Sequence, residues 1–234
     1  MMMNAAGARH VGARLVAEVE EESLEELLVS LRTSLSTTPS HRTPSIPFPE
    51  LSSLITRHHQ ATQSAPLPLF SVSGRYLPLL YHLISTLIAS PHNYTLVIID
   101  AEGKFDITRL ISQNKSSYPA TPPDLSHVYI YRTPTHGQEH IRAALAAADE
   151  FMLYGSHGSR SREWWGTVVI GGAGGGHVNA GWRGWLRVDR ETVGGFAVGM
   201  SVEEALQERG RRHEVVDAAG WVASSHWGSY AWKG

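Results

Sequence analysis

Two carboxylates, Asp100 and Glu102, stand directly after the apolar run Leu96-Val97-Ile98-Ile99, with Gly103 behind them. A buried strand ending in acids delivers them to the carboxyl edge of the sheet, where α/β proteins hold their ligands. Paired acids there can orient a water, hold a cation or divide general acid and base roles. A second candidate is the glycine run Gly171-Gly172-Ala173-Gly174-Gly175-Gly176, which follows Thr167-Val168-Val169-Ile170. Glycine turns after strands hold phosphates when a helix begins at once, so that the anion meets its N-terminus. The following residues include Gly181, Trp182, Gly184 and Trp185, a poor helix by propensity. A loop is therefore expected at 171–176, and a dinucleotide fingerprint is not.

The third candidate set pairs arginine with tryptophan. Arg160 and Arg162 precede Trp164 and Trp165, while Arg183, Arg187 and Arg190 surround Trp182 and Trp185. Guanidinium beside an exposed ring suits a single-stranded nucleic acid, through phosphate pairing and base stacking. The same composition also suits buried tryptophans covered by arginine stems. Arg160, Arg162, Arg183 and Arg187 are taken as the DNA-contact set. Arg209, Arg211 and Arg212 close a predicted helix, where cations complement its dipole. The thirteen histidines offer no ligand spacing, so no metal site is expected, and Ser156 and Ser159 lack a nucleophile elbow.

The elements that carry these residues alternate from residue 69 onward. Strands are predicted at 69–73, 94–100, 127–131 and 164–170, with helices at 77–89, from Phe105 and at 138–153. That alternation argues for βαβ units and a mainly parallel sheet. After the glycine run the style changes to short strands at 182–190, 195–200 and 213–218, with a helix at 202–209, read as an antiparallel edge. Upstream, 15–35 has a leucine stripe (Leu24, Leu27, Leu28, Leu31, Leu35) opposite Glu20, Glu21, Glu25 and Glu26. The expected organisation is an N-terminal amphipathic helix over 1–36, a Ser/Pro-rich linker with a short helix over 37–68, and a core domain over 69–234.

Composition narrows the partners. The 234 residues are 42% hydrophobic with a formal charge of −2, so no global basic field advertises nucleic acid. There is no cysteine, which removes disulfides and thiolate metal sites. The apolar stretch around 77–89 is too short and too polar to span a bilayer, and the N-terminus has no signal core. A soluble intracellular protein is expected.

Ile99-Asp100-Ala101-Glu102-Gly103-Lys104-Phe105, continued by Arg109 and Leu110, resembles the second core strand of RecA-type recombinases and their eukaryotic paralogues. Leu80-Tyr81-His82-Leu83 and the segments 184–190, 195–200 and 215–222 extend the resemblance over about two-thirds of the chain. It implies a RecA-like, P-loop-type α/β core, with helices on both faces, an antiparallel C-terminal edge, and the strands of Gly74 and Asp100 side by side. It also identifies what has been lost. The first strand runs through Gly74 into Arg75-Tyr76-Leu77-Pro78 without the G-K-[ST] that holds phosphate and magnesium. Gly74 stands for the first loop glycine and Arg75 is the substitute phosphate ligand. Glu102 matches the water-activating acid and Asp100 a neighbour of the phosphate site, both expected to survive as vestigial capping or structural carboxylates. Nor does 167–170 end in the acid of a metal-binding strand.

The function implied is an accessory subunit in double-strand break repair by homologous recombination, in the nucleus, without ATP hydrolysis. Its partners are other recombinase paralogues, a recombinase filament, and single-stranded or branched DNA; no membrane is involved. No cofactor is expected, ATP with magnesium being the one considered. Two rivals stand beside it: an α/β enzyme binding a small nucleotide or phosphate ligand at 171–176 with Asp100 and Glu102 as acid and base, and a scaffold that touches no DNA.

Overall fold

The computed structural model describes residues 44–64, 68–112, 119–133, 137–172, 174–193, 201–204, 206 and 219–233. The helix expected at 15–35 and the strands expected at 195–200 and 213–218 lie outside them. In order come α1 (Pro49–Thr62), β1 (Phe70–Gly74), α2 (Leu77–Ile88), β2 (Thr95–Asp100) and α3 (Arg109–Ser112). A 3-10 turn (Pro122–His127), β3 (Val128–Arg132), α4 (Gln138–Tyr154) and β4 (Trp164–Ile170) follow. The last strands are β5 (Val178–Ala180), β6 (Leu186–Arg190), β7 (Trp221–Ser225) and β8 (Gly228–Trp232).

The eight strands among the described residues form one sheet in the order β3-β2-β4-β5-β1-β6-β7-β8. Pairings from β3 through β6 are parallel, and β7 and β8 add an antiparallel edge. The α/β class, the mainly parallel sheet and the antiparallel C-terminal edge are as expected. β2 is buried along its whole length, which is why it reads as an unbroken apolar run. Against one face pack α1 and α2, with Phe70, Val72, Leu96, Ile98, Val168 and Leu186 beneath them. Against the other lies α4, whose Ile141, Ala148 and Met152 cover Val97, Ile99 and Val169.

Three expectations are corrected. The strands of Gly74 and Asp100 share a sheet but are not neighbours, because β4 and β5 lie between them. From β2 the chain steps outward to β3 and returns through α4 to the inner side of β2, a non-local choice that no segment pattern encodes. The short helix expected within 37–68 is α1, but it belongs to the core and not to a linker. Leu51, Leu54 and Ile55 of α1 are buried in the main core, and the compact unit runs from Pro44. Trp165 Nε1 donates to the Ser45 carbonyl at 2.8 Å, and His59 Nε2 lies 2.8 Å from the Leu69 carbonyl. Lastly, the helix predicted from Phe105 begins only at Arg109. The Asp100 carboxylate accepts the Lys104 and Phe105 N–H groups, and Asp106 accepts from Thr108, so the chain turns before it coils.

Between β5 and β6 the chain crosses β1 on the α4 side in only five residues, 181–185. Gly181 N–H donates to the Val72 carbonyl and Ser73 Oγ to the Gly184 carbonyl, so the crossing lies directly on the strand.

Candidate functional site

The turn from β1 into α2 is where a phosphate grip belongs in the resembling fold. Gly74 has φ +74, and a Cβ there would stand 2.6 Å from the Val188 carbonyl oxygen. Arg75 N–H is already donated to that same oxygen at 2.8 Å. Tyr76 is helical at φ −68, and Pro78 in the first turn has no N–H to offer. No lysine, serine or threonine follows in the turn, and the Arg75 side chain is exposed. The residues present therefore do not fit ATP with magnesium: the amide cradle, the loop lysine and the metal tether are missing, and Arg75 alone is left as a cation.

Tyr76 takes that space. Its ring is buried, and its hydroxyl donates to Glu102 Oε2 at 2.7 Å. Burial, then the bond to Glu102, push the phenol well above its ordinary range. Glu102 also pairs with Lys104 Nζ at 2.6 Å and lies over Gly171, where a Cβ would overlap its side chain. Asp100 is 1% exposed, and its oxygens serve the Lys104 and Phe105 amides. Asp100 is thus committed to the turn and Glu102 to Tyr76 and Lys104.

The glycine run leads not into a helix but into β5, so no helix N-terminus backs it. Above β1 and β5, on the α4 side, it walls a cleft of about 390 Å³. Ser71 and Asn179, register partners on adjacent strands, form the floor. Gly171, Gly172 and Ile141 make one wall, and Trp182 and Arg183 of the crossover stand at the rim. Neither Asp100 nor Glu102 lines it, so the acid–base enzyme reading loses its shared pocket.

The four DNA-contact arginines do not form one surface. Arg160 and Arg162 lie in the loop before β4, at the amino edge of the sheet. Arg162 is committed to the fold: one nitrogen donates to the Ile88 carbonyl at 2.9 Å and another to Asp124 Oδ1 at 2.8 Å, with side-chain exposures of 17% and 12% in the ion pair. Burial alone would raise the Asp124 carboxyl, but hydrogen bonds from Thr121 and Arg162 hold it below its ordinary value. This arginine is withdrawn from the DNA-contact set. Arg160 is exposed and donates to the Gly155 carbonyl at the end of α4. Arg183 and Arg187 belong to the cleft side. Arg187 is paired with Asp189 at 2.7 Å, while the Arg183 guanidinium sits 4.0 Å from the ring centre of Trp182.

Trp182 is 81% exposed, whereas Trp165 is buried and Trp185 stacks on His58. Ser159 lies 2.7 Å from His127 Nδ1 and 2.9 Å from the Tyr129 hydroxyl, but it is 1% exposed at the amino edge, beyond reach of a substrate. Among the described residues no cluster of three or more His, Asp and Glu could hold a metal, and no helix is long and apolar enough to cross a membrane.

Sequence reading passed over Tyr76, Ser71 and Asn179. Ser71 and Ser73 alternate with Phe70 and Val72 in an otherwise buried strand, which signals a polar face and could have been found. Comparison of the chain with protein-family models and with curated proteins returns no match.

Proposed function

We propose that this chain is an accessory, recombinase-paralogue-like subunit of homologous recombination with a RecA-like core, acting in the nucleus without hydrolysing ATP. It binds partner paralogues and supports a recombinase filament on single-stranded or branched DNA. The observation that carries the reading is the Tyr76–Glu102 hydrogen bond. It joins the degenerate turn after β1 to the acid turn after β2, at the carboxyl edge of one sheet, although the strands are not neighbours. The reading thus rests on convergence of the two turns, not on adjacency. A tyrosine standing where a nucleotide grip is expected fits a subunit that works by binding. The enzyme alternative is disfavoured because its two acids are occupied and lie outside the cleft.

Affinity purification from the native cell, with partners identified by mass spectrometry, tests this directly. Recovery of recombinase paralogues is the expected result. A lone monomer that turns over a metabolite would overturn it, and sub-micromolar ATP affinity in the isolated chain would overturn the loss of nucleotide chemistry.

A further inference from the structure

α4 turns Ile141, Ala148 and Met152 into the sheet and leaves its opposite side exposed over its whole length. Along that side Glu139, Ala143, Ala146, Glu150 and Leu153 follow one another at steps of four, three, four and three. Such steps average about 3.5 residues, the spacing of a seam between two helices. Two further features separate this face from an ordinary wet one. Its last turn holds two large apolar side chains in the open, Leu153 at 64% and Tyr154 at 78% exposure. Its flanking charges also divide by sign, with Arg142 in the first half of the helix and Asp149 and Glu150 in the second. None of these three is in an ion pair among the described residues. A base toward the start and acids toward the end run against the helix dipole, so the order does nothing for α4 itself.

We infer that this face of α4 pairs with α4 of a second copy of the chain, antiparallel about a two-fold axis at Ala146. Reversal sets Arg142 of each copy against Asp149 and Glu150 of the other, so the charge split is satisfied twice. That self-complementarity is what an isologous contact requires. A parallel pair would instead set base on base and acid on acid. Reversal also carries Leu153 and Tyr154 over the first turn of the second helix, where the Glu139 carboxylate is an acceptor for the Tyr154 hydroxyl. Ala143 and Ala146 let the backbones approach to the short end of helix packing distances, about 8 Å. The helix has 17 residues and spans about 25 Å, so the contact is small and the dimer comes apart on dilution. None of this depends on the DNA-repair reading above.

Sedimentation equilibrium of the full chain tests this, using Arg142→Glu and Glu150→Arg. Wild type is expected to pass from monomer to dimer across about a hundredfold range of concentration. Each variant alone sets like charges together and is expected to weaken the dimer about tenfold or more. An equimolar mixture of the two variants places acid against base at both contacts and is expected to restore the dimer. Both positions are exposed, and recovery in the mixture shows that neither change has damaged the fold. A wild-type chain that stays monomeric throughout overturns the inference, whatever other protein α4 then serves. A dimer indifferent to both changes, or one that the mixture does not restore, overturns it as well by placing the contact elsewhere. Assemblies that grow beyond the dimer overturn the two-fold arrangement.

Discussion

Gly184 lies against the backbone of Val72, close enough that any Cβ would overlap the Val72 carbonyl group. This contact lets a five-residue crossover pass over β1, where parallel connections ordinarily need a dozen or more residues. Because the clash is with backbone, no rotamer change relieves it. Gly184→Ala is expected to destabilise the fold by about 3 kcal/mol, near the upper end for overpacking. Chemical denaturation checks it, and a variant within about 0.5 kcal/mol of wild type would show that the crossing is looser than described.

Arg162 and Asp124 supply the second prediction. Arg162→Ala strands a shielded carboxylate and leaves the Ile88 carbonyl unserved. A loss of about 3 kcal/mol is expected in thermal or urea unfolding. Arg160→Ala, two positions away and exposed, is expected within about 0.5 kcal/mol of wild type. Equal effects from the two would refute the division of roles.

Tyr76→Phe removes one hydroxyl from the link between the two turns. A cost of about 1 kcal/mol is expected, with no gain of ATP binding, since the missing amides, lysine and metal tether are not restored. Calorimetric titration with ATP and magnesium reads the second half; nucleotide binding in this variant would mean that Tyr76 was a plug over an intact site.

His82 gives the acid side of stability its sign. Burial brings the imidazole down to about 4 from an ordinary 6.5. As pH falls, the unfolded chain takes up its proton first, so stability declines between about 6.5 and about 4 and levels off below. His58 and His127 are lowered too, both chiefly by burial, and share the slope. His82→Phe keeps the stack on Phe48, now 4.4 Å between ring centres, and is expected to flatten the fall in melting temperature across that window. An unchanged slope would remove His82 from the account.

Arg183 and Arg187 differ in what they can offer a strand. Arg187 already faces Asp189, while Arg183 faces no acid among the described residues. Arg183→Ala is expected to lower the salt slope of single-strand binding by about 0.7, the value of one released phosphate contact, and Arg187→Ala by less. Fluorescence titrations at several salt concentrations decide the order, and the reverse ranking would move the contact onto β6.

What the chain disclosed of this fold follows how local each cause is. β1, α2, β2, β3, α4 and β4 stand within a residue or two of where their apolar runs predict them, because each buries a continuous stripe of its own. β5 was invisible: Val178-Asn179-Ala180 is a strand only because β4 and β1 flank it. β7 and β8 were passed over, the last strand being placed at 213–218, since Trp221 to Trp232 is held by mutual pairing and by α1 and α2 rather than by a pattern within it. The acids were found and assigned to structural work, but their partner Tyr76 was not, for a tyrosine beside a missing loop gives no signal until the turn is folded. The arginines were misjudged as a set because spacing in sequence says nothing of which edge of the sheet a loop occupies.

The two edges of that sheet are built from different materials. Below β3, β4 and β1, side chains clamp backbone: Arg162 onto Ile88, Trp165 onto Ser45, His59 onto Leu69. Above β4 and β5, glycines carry the chain, with few side chains fastening it. Amide protons around the lower clamps should therefore outlast those of the glycine segments in exchange. Variation in the glycine segments can then be absorbed where it arises, without being transmitted into the framework beneath.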